Sequence, residues 1–390
     1  MSWPWWAALL LASPWLLAGL GALILLLSGS AGKPNVRDWQ PLHGDDCPSV
    51  SVIVPARNEA ANIERCLRSL LATEYPEFEV IVVNDRSTDA TAEIARRIAA
   101  DDDRLVVIDG EERPADWAGK PWACWQGYRK AVGDILLFTD ADTKHGPRLL
   151  GRSVAMLKDQ HADMVTVMPL QEMKSFWERL VQPLFFLLLG LRFGSPARLN
   201  RNTNPRHAIA NGQFILVTRD SYEWIGGHRK VRRSVVEDLD LAISYTATAR
   251  VIRFAVAEQD MRTRMYDSLG ALVEGWSKNM YLGMTRTFGS PALTFVAMTS
   301  SMAVQLLYFV LPFAALVAGL VLSNSFLIVF GATAWLSASL LIGAVLAPAG
   351  ESMLWGLFHP LGGLVQVFIF ARSLVRGRRN IVWKGRSYTA

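Results

Sequence analysis

The chain has 390 residues, room for one large domain or two small ones, and its hydrophobic fraction of 51% is high for a wholly soluble protein. Its net charge of +5 gathers beside apolar segments and does not interleave with aromatics on a polar face, so nucleic acid is not an expected partner. Three cysteines, Cys47, Cys66 and Cys124, show no metal-like spacing and are too few for a disulfide framework, which fits a reducing compartment.

No Asp, Glu, Lys or Arg precedes Lys33, and Trp5 to Leu27 is almost wholly apolar, long enough to cross a bilayer at about 20 residues. A signal peptide would bring a basic leading region and a shorter apolar core, so residues 5–28 are expected to be a retained N-terminal transmembrane anchor. From Ser49 to about Leu269 the composition becomes globular. Val50-Ser-Val-Ile-Val54 reads as a strand closed by Pro55, and Ile63, Leu67, Leu70 and Leu71 then follow helical spacing. Glu79 to Val83 is a second buried strand, leading through Asn84 to Asp89 into a helix packed by Ala92, Ile94, Ala95, Ile98 and Ala99. Arg104 to Ile108 and Asp134 to Phe138 add two more strands. Strands alternating with helices predict an α/β domain with a mostly parallel sheet covered on both faces.

In open sheets of this kind ligands bind beyond the carboxyl ends of the strands. Pro55-Ala-Arg-Asn-Glu59, Asn84-Asp85-Arg-Ser-Thr-Asp89 and Thr139-Asp-Ala-Asp142 all fall at such ends and should converge. No glycine-rich loop follows the first strand, which argues against a dinucleotide or P-loop site. Asp140 and Asp142, on alternate residues at a strand end, offer the hard oxygen ligands that Mg2+ and Mn2+ prefer while leaving positions for substrate phosphates; alone, such a turn is as readily a solvated loop. Asp85 has a structural alternative too, capping a helix that starts near Ser87 or Thr88. Glu237 and Asp238, with Asp240 close by, open a helical pattern through Leu239 and Ile243, where acidic groups suit the positive helix end. His145 and His228 are expected to satisfy local hydrogen bonds.

After Arg286 no charged residue occurs until Glu351, and the apolar character resumes from Met353 to Phe370. Within 290–371 about three C-terminal transmembrane segments are expected, near 298–322, 325–347 and 353–371. Arg372, Arg376, Arg378, Arg379, Lys384 and Arg386 make 372–390 a basic tail, which the positive-inside rule places in the cytosol, and Lys33 with Arg37 place the central region there as well. An even number of crossings must then separate domain and tail, so one of the three segments is expected to be re-entrant or interfacial. The run from Val181 to Gly190 is too short to span and suits the interface beside the domain, or a buried core helix.

These motifs, in this order, resemble the inverting family 2 glycosyltransferases of the GT-A fold over residues 48–285: Val-Pro-Ala-Arg-Asn-Glu59, Val-Asn-Asp-Arg-Ser-Thr-Asp89, Thr-Asp-Ala-Asp142 and Val236-Glu-Asp238. Trp117-Ala-Gly-Lys-Pro-Trp-Ala123, Ser175-Phe-Trp-Glu-Arg179 and Ala210-Asn-Gly-Gln-Phe214 are similar to the membrane-bound branch associated with hopanoid and carotenoid pathways, which glycosylates lipids or lipid-like acceptors. The resemblance implies a cytosolic hexosyltransferase domain in an integral membrane protein of the bacterial inner-membrane type. Its donor would be a nucleotide sugar such as a UDP-sugar, with Asp85 reading the base and Pro55, Ala56 and Glu59 lining the nucleoside pocket. Asp140 would sit near ribose and metal, and Asp142 would ligate Mg2+ or Mn2+. Lys120, between Trp117 and Trp122, is placed either to reach the diphosphate or to pack among the tryptophans. Asp238 would be the catalytic base, taking the acceptor proton while the cation neutralises the leaving diphosphate, and a single displacement inverts the sugar. Gln213, Glu237, Trp276 and Lys278 would lie near the acceptor and diphosphate. Many relatives carry Gln-x-x-Arg-Trp where this chain has Glu274-Gly-Trp276-Ser-Lys278-Asn279, which leaves Trp276 to offer a ring face and Lys278 a cation. That departure favours one transfer to a membrane lipid or polyprenoid over a processive polysaccharide synthase, and the intact acidic set argues against an inactive membrane scaffold.

Overall fold

The computed structural model describes residues 4–28, 33–42, 44, 47–377, 381–383 and 386–388. Contacts divide the chain into a helical unit, Met1–Ala31, Met173–Arg192 and Tyr266–Arg378, and an α/β unit, Gly32–Glu172, Phe193–Met265 and Arg379–Ala390.

The α/β unit is organised on strands β1 (Val50–Ala56), β2 (Phe78–Asn84), β3 (Leu105–Asp109), β4 (Ile135–Thr139), β5 (Thr143–His145), β6 (Met164–Met168), β7 (Leu170–Gln171), β8 (Phe214–Thr218), β9 (Ile252–Val256) and β10 (Met261–Thr263). Seven of them form one sheet in the order β3-β2-β1-β4-β8-β6-β9. β1 runs parallel to β2 and β4, β2 to β3 and β6 to β9, whereas β8 is antiparallel to both of its neighbours. The sheet is therefore mostly parallel, with β8 inserted the other way. Helices Ile63–Leu71, Thr91–Ala99 and Gly119–Lys130 make the crossovers. Alternate residues of one strand serve opposite faces: Val52 and Val54 join the core with Leu67 and Met156, while Ile53 packs on the other side with Ala123, Tyr222 and Tyr245. Pro55 is tolerated inside β1 because pairing with β4 ends at Ile53. β10 lies between β5 and β7 in a separate small sheet under the site.

One helix starts later than its sequence pattern indicated. The helix after β2 begins at Thr91, and Asp89, not Asp85, accepts the Thr91 N–H at 3.0 Å, so the capping alternative for Asp85 falls away.

In the helical unit Trp5–Leu11 and Ser13–Ile24 are bent by 61° to one another, where one continuous anchor was expected. Pro291–Val321, Ser325–Ala349 and Met353–Arg376 are each long and apolar enough to cross a membrane, the first starting seven residues before the expected 298. The run around Val181 proves longer than its apolar core: Phe176–Leu199 spans 24 residues and also meets that length. It is nonetheless no single crossing. β6 precedes it, β8 follows it, and the two pair in one sheet, so the chain must return to the side it left.

Contacts within this unit also fix the direction of the last segment. A Cβ on Gly331 would meet Leu316 backbone and one on Gly319 would meet Ile328 backbone, so Ser325–Leu346 runs back alongside Leu311–Val321. Met353–Phe358 then doubles back along Ser325–Leu346, with Trp335 Nε1 donating to Leu357 O at 3.1 Å. Helix His359–Arg376 ends on helix Leu269–Phe288, where Ser373 Oγ donates to Ser277 O at 2.6 Å and accepts from Tyr281 N at 3.0 Å. The first C-terminal helix starts on that same helix, Thr294 Oγ1 lying 3.4 Å from Thr285 Oγ1. Entry and exit therefore share one end of the bundle. Two segments traverse it, and Met353–Arg376 enters alongside Ser325–Leu346 and returns to the shared end. Arg372 and Arg376 close the exit on Glu274 at 2.8 and 2.6 Å, while Arg378, Arg379 and Lys384 lie outside the described residues.

Candidate active site

The loops after β1 and β2 are sewn together at the carboxyl edge of the sheet. Asp85 N donates to Ala56 O at 2.8 Å, and Arg57 Nη1 donates back to Asp85 O at 2.7 Å. Asn58 N reaches Ser87 Oγ at 3.1 Å, Thr88 N reaches Asn58 Oδ1 at 2.8 Å, and Ala60 N reaches Asp89 Oδ2 at 3.1 Å. Asn58 and Arg86 take left-handed backbone angles, φ 52° and 54°, to make these turns. Asp85 is buried behind them. Gly110 permits this packing, since a Cβ there would lie 3.0 Å from Asn84 O, a requirement that sequence reading missed. Glu59, on the same loop, gives its N–H to Thr91 Oγ1 at 2.8 Å.

The loop after β4 joins them through helix Ile63–Leu71, from which Arg65 Nη2 donates to Asp142 O at 2.8 Å. Thr143 Oγ1 donates to Asp140 O at 2.7 Å. Asp142 Oδ1 is buried with no hydrogen-bond partner. Burial, then the charges of Asp140 and Glu59, push the Asp142 carboxyl up to about 7. Burial likewise raises Asp140. A crowded carboxylate oxygen with no donor fits a cation. Among the described residues no three His, Cys, Asp or Glu side chains form a ready metal cage, so a cation here would rest on Asp142 and Asp140 with its other positions left for phosphate oxygens, the habit of Mg2+ and Mn2+.

Lys120 bridges this loop to the opposite wall. Standing in the first turn of helix Gly119–Lys130, it places Nζ 2.7 Å from Asp140 Oδ1, 2.9 Å from Glu237 Oε1 and 3.5 Å from Gly212 O. Burial works against its charge, yet Asp140 and Glu237 outweigh it and hold the Lys120 pKa well above normal. Glu237 and Asp238 open helix Glu237–Ala247. Asp238 Oδ2 accepts Gly212 N–H at 3.1 Å and Oδ1 accepts Leu239 N–H at 2.8 Å. Burial first, then the Glu237 charge, lift the Asp238 carboxyl to about 6 against the pull of Lys120. Asp140, Lys120, Glu237, Gly212 and Asp238 thus make one connected set.

Gln213 contributes its backbone only: its carbonyl accepts Thr139 Oγ1 at 2.7 Å, while its amide is engaged by Gln171 and Thr263, both at 3.3 Å. His145 Nε2 lies 3.0 Å from both Thr139 Oγ1 and Thr143 Oγ1, and His228 Nδ1 lies 2.9 Å from Tyr222 OH; burial lowers both imidazoles to about 3, so they are neutral packing groups. Trp276 and Lys278 belong to the helical unit, on Leu269–Phe288. Trp276 is buried and stacks on Phe185 with centroids 4.1 Å apart and planes at 4°, so that face of its ring is closed to a sugar, contrary to expectation.

Residues 51–226 match the family model described as Glycosyl transferase family 2. The chain is 30% identical over 241 residues to a protein of Staphylococcus aureus (strain USA300) named 4,4'-diaponeurosporenoate glycosyltransferase, covering 60% of this chain and 61% of that one. It is 27% identical over 249 residues to the protein of the same name from Staphylococcus haemolyticus (strain JCSC1435), covering 63% and 64%. The chain thus matches less than two thirds of these relatives' length. A solved structure, mannosyltransferase PcManGT from Pyrobaculum calidifontis in complex with GDP-Man and Mn2+, superposes with a TM-score of 0.52 at 21% identity over 94% of this chain and 97% of that one, a likeness of GT-A fold.

Proposed function

We propose, starting from the glycosyl transferase family 2 domain that residues 51–226 form, that this protein is a membrane-associated glycosyltransferase moving one sugar, with inversion, from a nucleotide-sugar donor to a lipid acceptor. The observation that carries the reading is the Asp140–Lys120–Glu237 bridge, which links a donor-side carboxylate pair to Asp238 across the carboxyl edge of the sheet. Asp85, buried under the sewn loops, is the base-reading residue, and Pro55, Ala56 and Glu59 border the nucleoside. Asp142 and Asp140 would hold Mg2+ or Mn2+, which when bound would supply charge to neutralise the diphosphate.

The chain's own groups do the rest. Lys120 presents a fixed ammonium beside Asp140, where the diphosphate oxygens must lie. Asp238, held through both oxygens by backbone N–H groups, keeps one orientation and a proton affinity suited to accept the acceptor hydroxyl proton near neutrality. A carboxylate on the face opposite the leaving group permits a single displacement. The lipid acceptor is supported by the apolar segments and by the names of the relatives, the carotenoid acid being one chemistry of that class. Helix Phe176–Phe193, which leaves and rejoins the same side, suits the membrane interface.

The test is to reconstitute the full chain in lipid nanodiscs with Mg2+ or Mn2+, labelled nucleotide sugars and a bacterial lipid extract. Label is expected in the organic phase. Label confined to a long aqueous polymer would favour a processive synthase, and neither transfer nor donor hydrolysis with any sugar would overturn the enzyme reading.

A further inference from the structure

Three glutamines of the helical unit stand where apolar side chains are expected. Gln182, Gln305 and Gln366 are 0%, 1% and 0% exposed. Neither the oxygen nor the nitrogen of any of the three amides has a hydrogen-bond partner. Buried amides are ordinarily paired, and polar groups in membrane segments commonly mark a binding path.

Packing brings two of them to one level. A Cβ on Gly363 would lie 3.1 Å from Phe309 Cβ, and helices Pro291–Gln305 and His359–Arg376 run in opposite directions from the shared end of the bundle. One turn back from Phe309 is Gln305, and one turn on from Gly363 is Gln366, so the two amides share a level. A Cβ on Gly362 would meet Leu180 O at 2.4 Å and Leu184 Cδ1 at 3.0 Å, and Phe185 stacks with Phe370 at 6.2 Å. Residues 180–185 therefore lie across 362–370, with Leu180 and Leu184 on the facing side and Gln182 on another face of the same helix. Trp276, stacked on Phe185, also has its Nε1 buried without a partner. The second independent sign is in the backbone. Immediately after Gln305 the helix opens into a five-residue π-type turn, Leu306–Val310, a form that is frequent at functional sites.

We propose that Gln305 and Gln366 form a recognition site, inside the helical bundle, for a carbonyl or hydroxyl group carried on an otherwise apolar ligand, and that this ligand is the lipid acceptor. The second half rests on the glycosyl-transfer reading above. An amide both donates and accepts, so the two together match an oxygen function of either kind and discriminate against a pure hydrocarbon, which leaves each amide unpaired.

The test uses the full chain in nanodiscs, with Gln305→Leu/Gln366→Leu as the main variant and Gln366→Met as a milder one. Transfer is titrated against a total bacterial lipid extract, donor hydrolysis is followed in parallel, and binding of tritiated oleyl alcohol is compared with that of tritiated 1-octadecene. The double variant is expected to need ~10-fold more lipid for half-saturation, to hydrolyse donor as before, to melt no lower, and to lose a preference for the alcohol that the wild type shows. If half-saturation and the alcohol preference are unchanged in both variants, the amides bond only to one another or to water, and the site is overturned. If the wild type neither transfers nor hydrolyses but its alcohol preference disappears in the variants, the glycosyl-transfer reading falls and the binding site stands.

Discussion

Gly212 and Asp238, 26 residues apart, meet through one backbone hydrogen bond of 3.1 Å that leaves little room for a side chain at 212. A methyl group added at Gly212 would lie 3.0 Å from Asp238 Oδ2 and 3.1 Å from Lys120 Nζ. Gly212→Ala should displace the carboxylate and the ammonium together. We expect transfer to fall by roughly 10²-fold, as small misplacements of positioned groups do, with the melting temperature little changed. Steady-state transfer rates beside a thermal melt check this, and a fully active Gly212→Ala would show that Asp238 tolerates displacement.

Asp238→Asn keeps the shape and removes the proposed base. Donor binding in the presence of Mn2+, read by calorimetry, should remain within about twofold, while transfer should fall by about 10² to 10⁴-fold. Retained transfer would move the base role elsewhere, with Glu237 the nearest candidate.

The pH profile should carry the same signature. A base must be ionised to act, and burial with the Glu237 charge lifts Asp238 to about 6, so transfer should rise with pH through that region and fade below it. Glu237→Gln removes a like charge and should move this acid limb to lower pH, whereas loss of the Lys120 cation should move it higher. Initial rates between pH 4.5 and 8 at saturating donor decide both signs.

Asp142→Asn should separate binding from stability. Without a cation, Asp142 is a crowded carboxylate whose folded-state pKa, pushed up to about 7, exceeds its unfolded value. Such a group favours folding less once pH rises above its folded pKa, so at pH 8 the metal-free variant should melt no lower than wild type. Metal-dependent donor binding should weaken by 10-fold or more in the same variant, and a calorimetric titration with Mn2+ reads it.

Much of the carboxyl edge of the sheet was legible in the chain because its cues are local. Val50–Val54, Glu79–Val83 and Ile135–Phe138 announce themselves as short β-branched or apolar runs, and the polar loops behind them fall at strand ends by topology alone. β6, β8 and β9 gave no such alternation with helices, since β8 enters antiparallel and its partners come from distant segments. The role of Gly212 was hidden for another reason: its contribution is a main-chain N–H and an absent side chain, which residue chemistry does not advertise. Trp276 misled because an aromatic near a cation reads as a binding surface, while packing against Phe185 used its face. Hydropathy found the apolar segments but carries no direction, so the return of Met353–Arg376 became visible only through Ser373 and Trp335.

That return has a consequence for how the bundle is built. Ser277 waits for Ser373, 96 residues further along the chain, for the hydroxyl that its carbonyl accepts. At ribosomal speeds the delay is roughly 5 to 20 s, during which the helices between must sit beside Leu269–Phe288 with one flank open. Closure is therefore a late, single event in biosynthesis, and substitutions at Ser373 or at its carbonyl partner should show themselves first as poor yield and slow assembly, before any loss of catalytic rate.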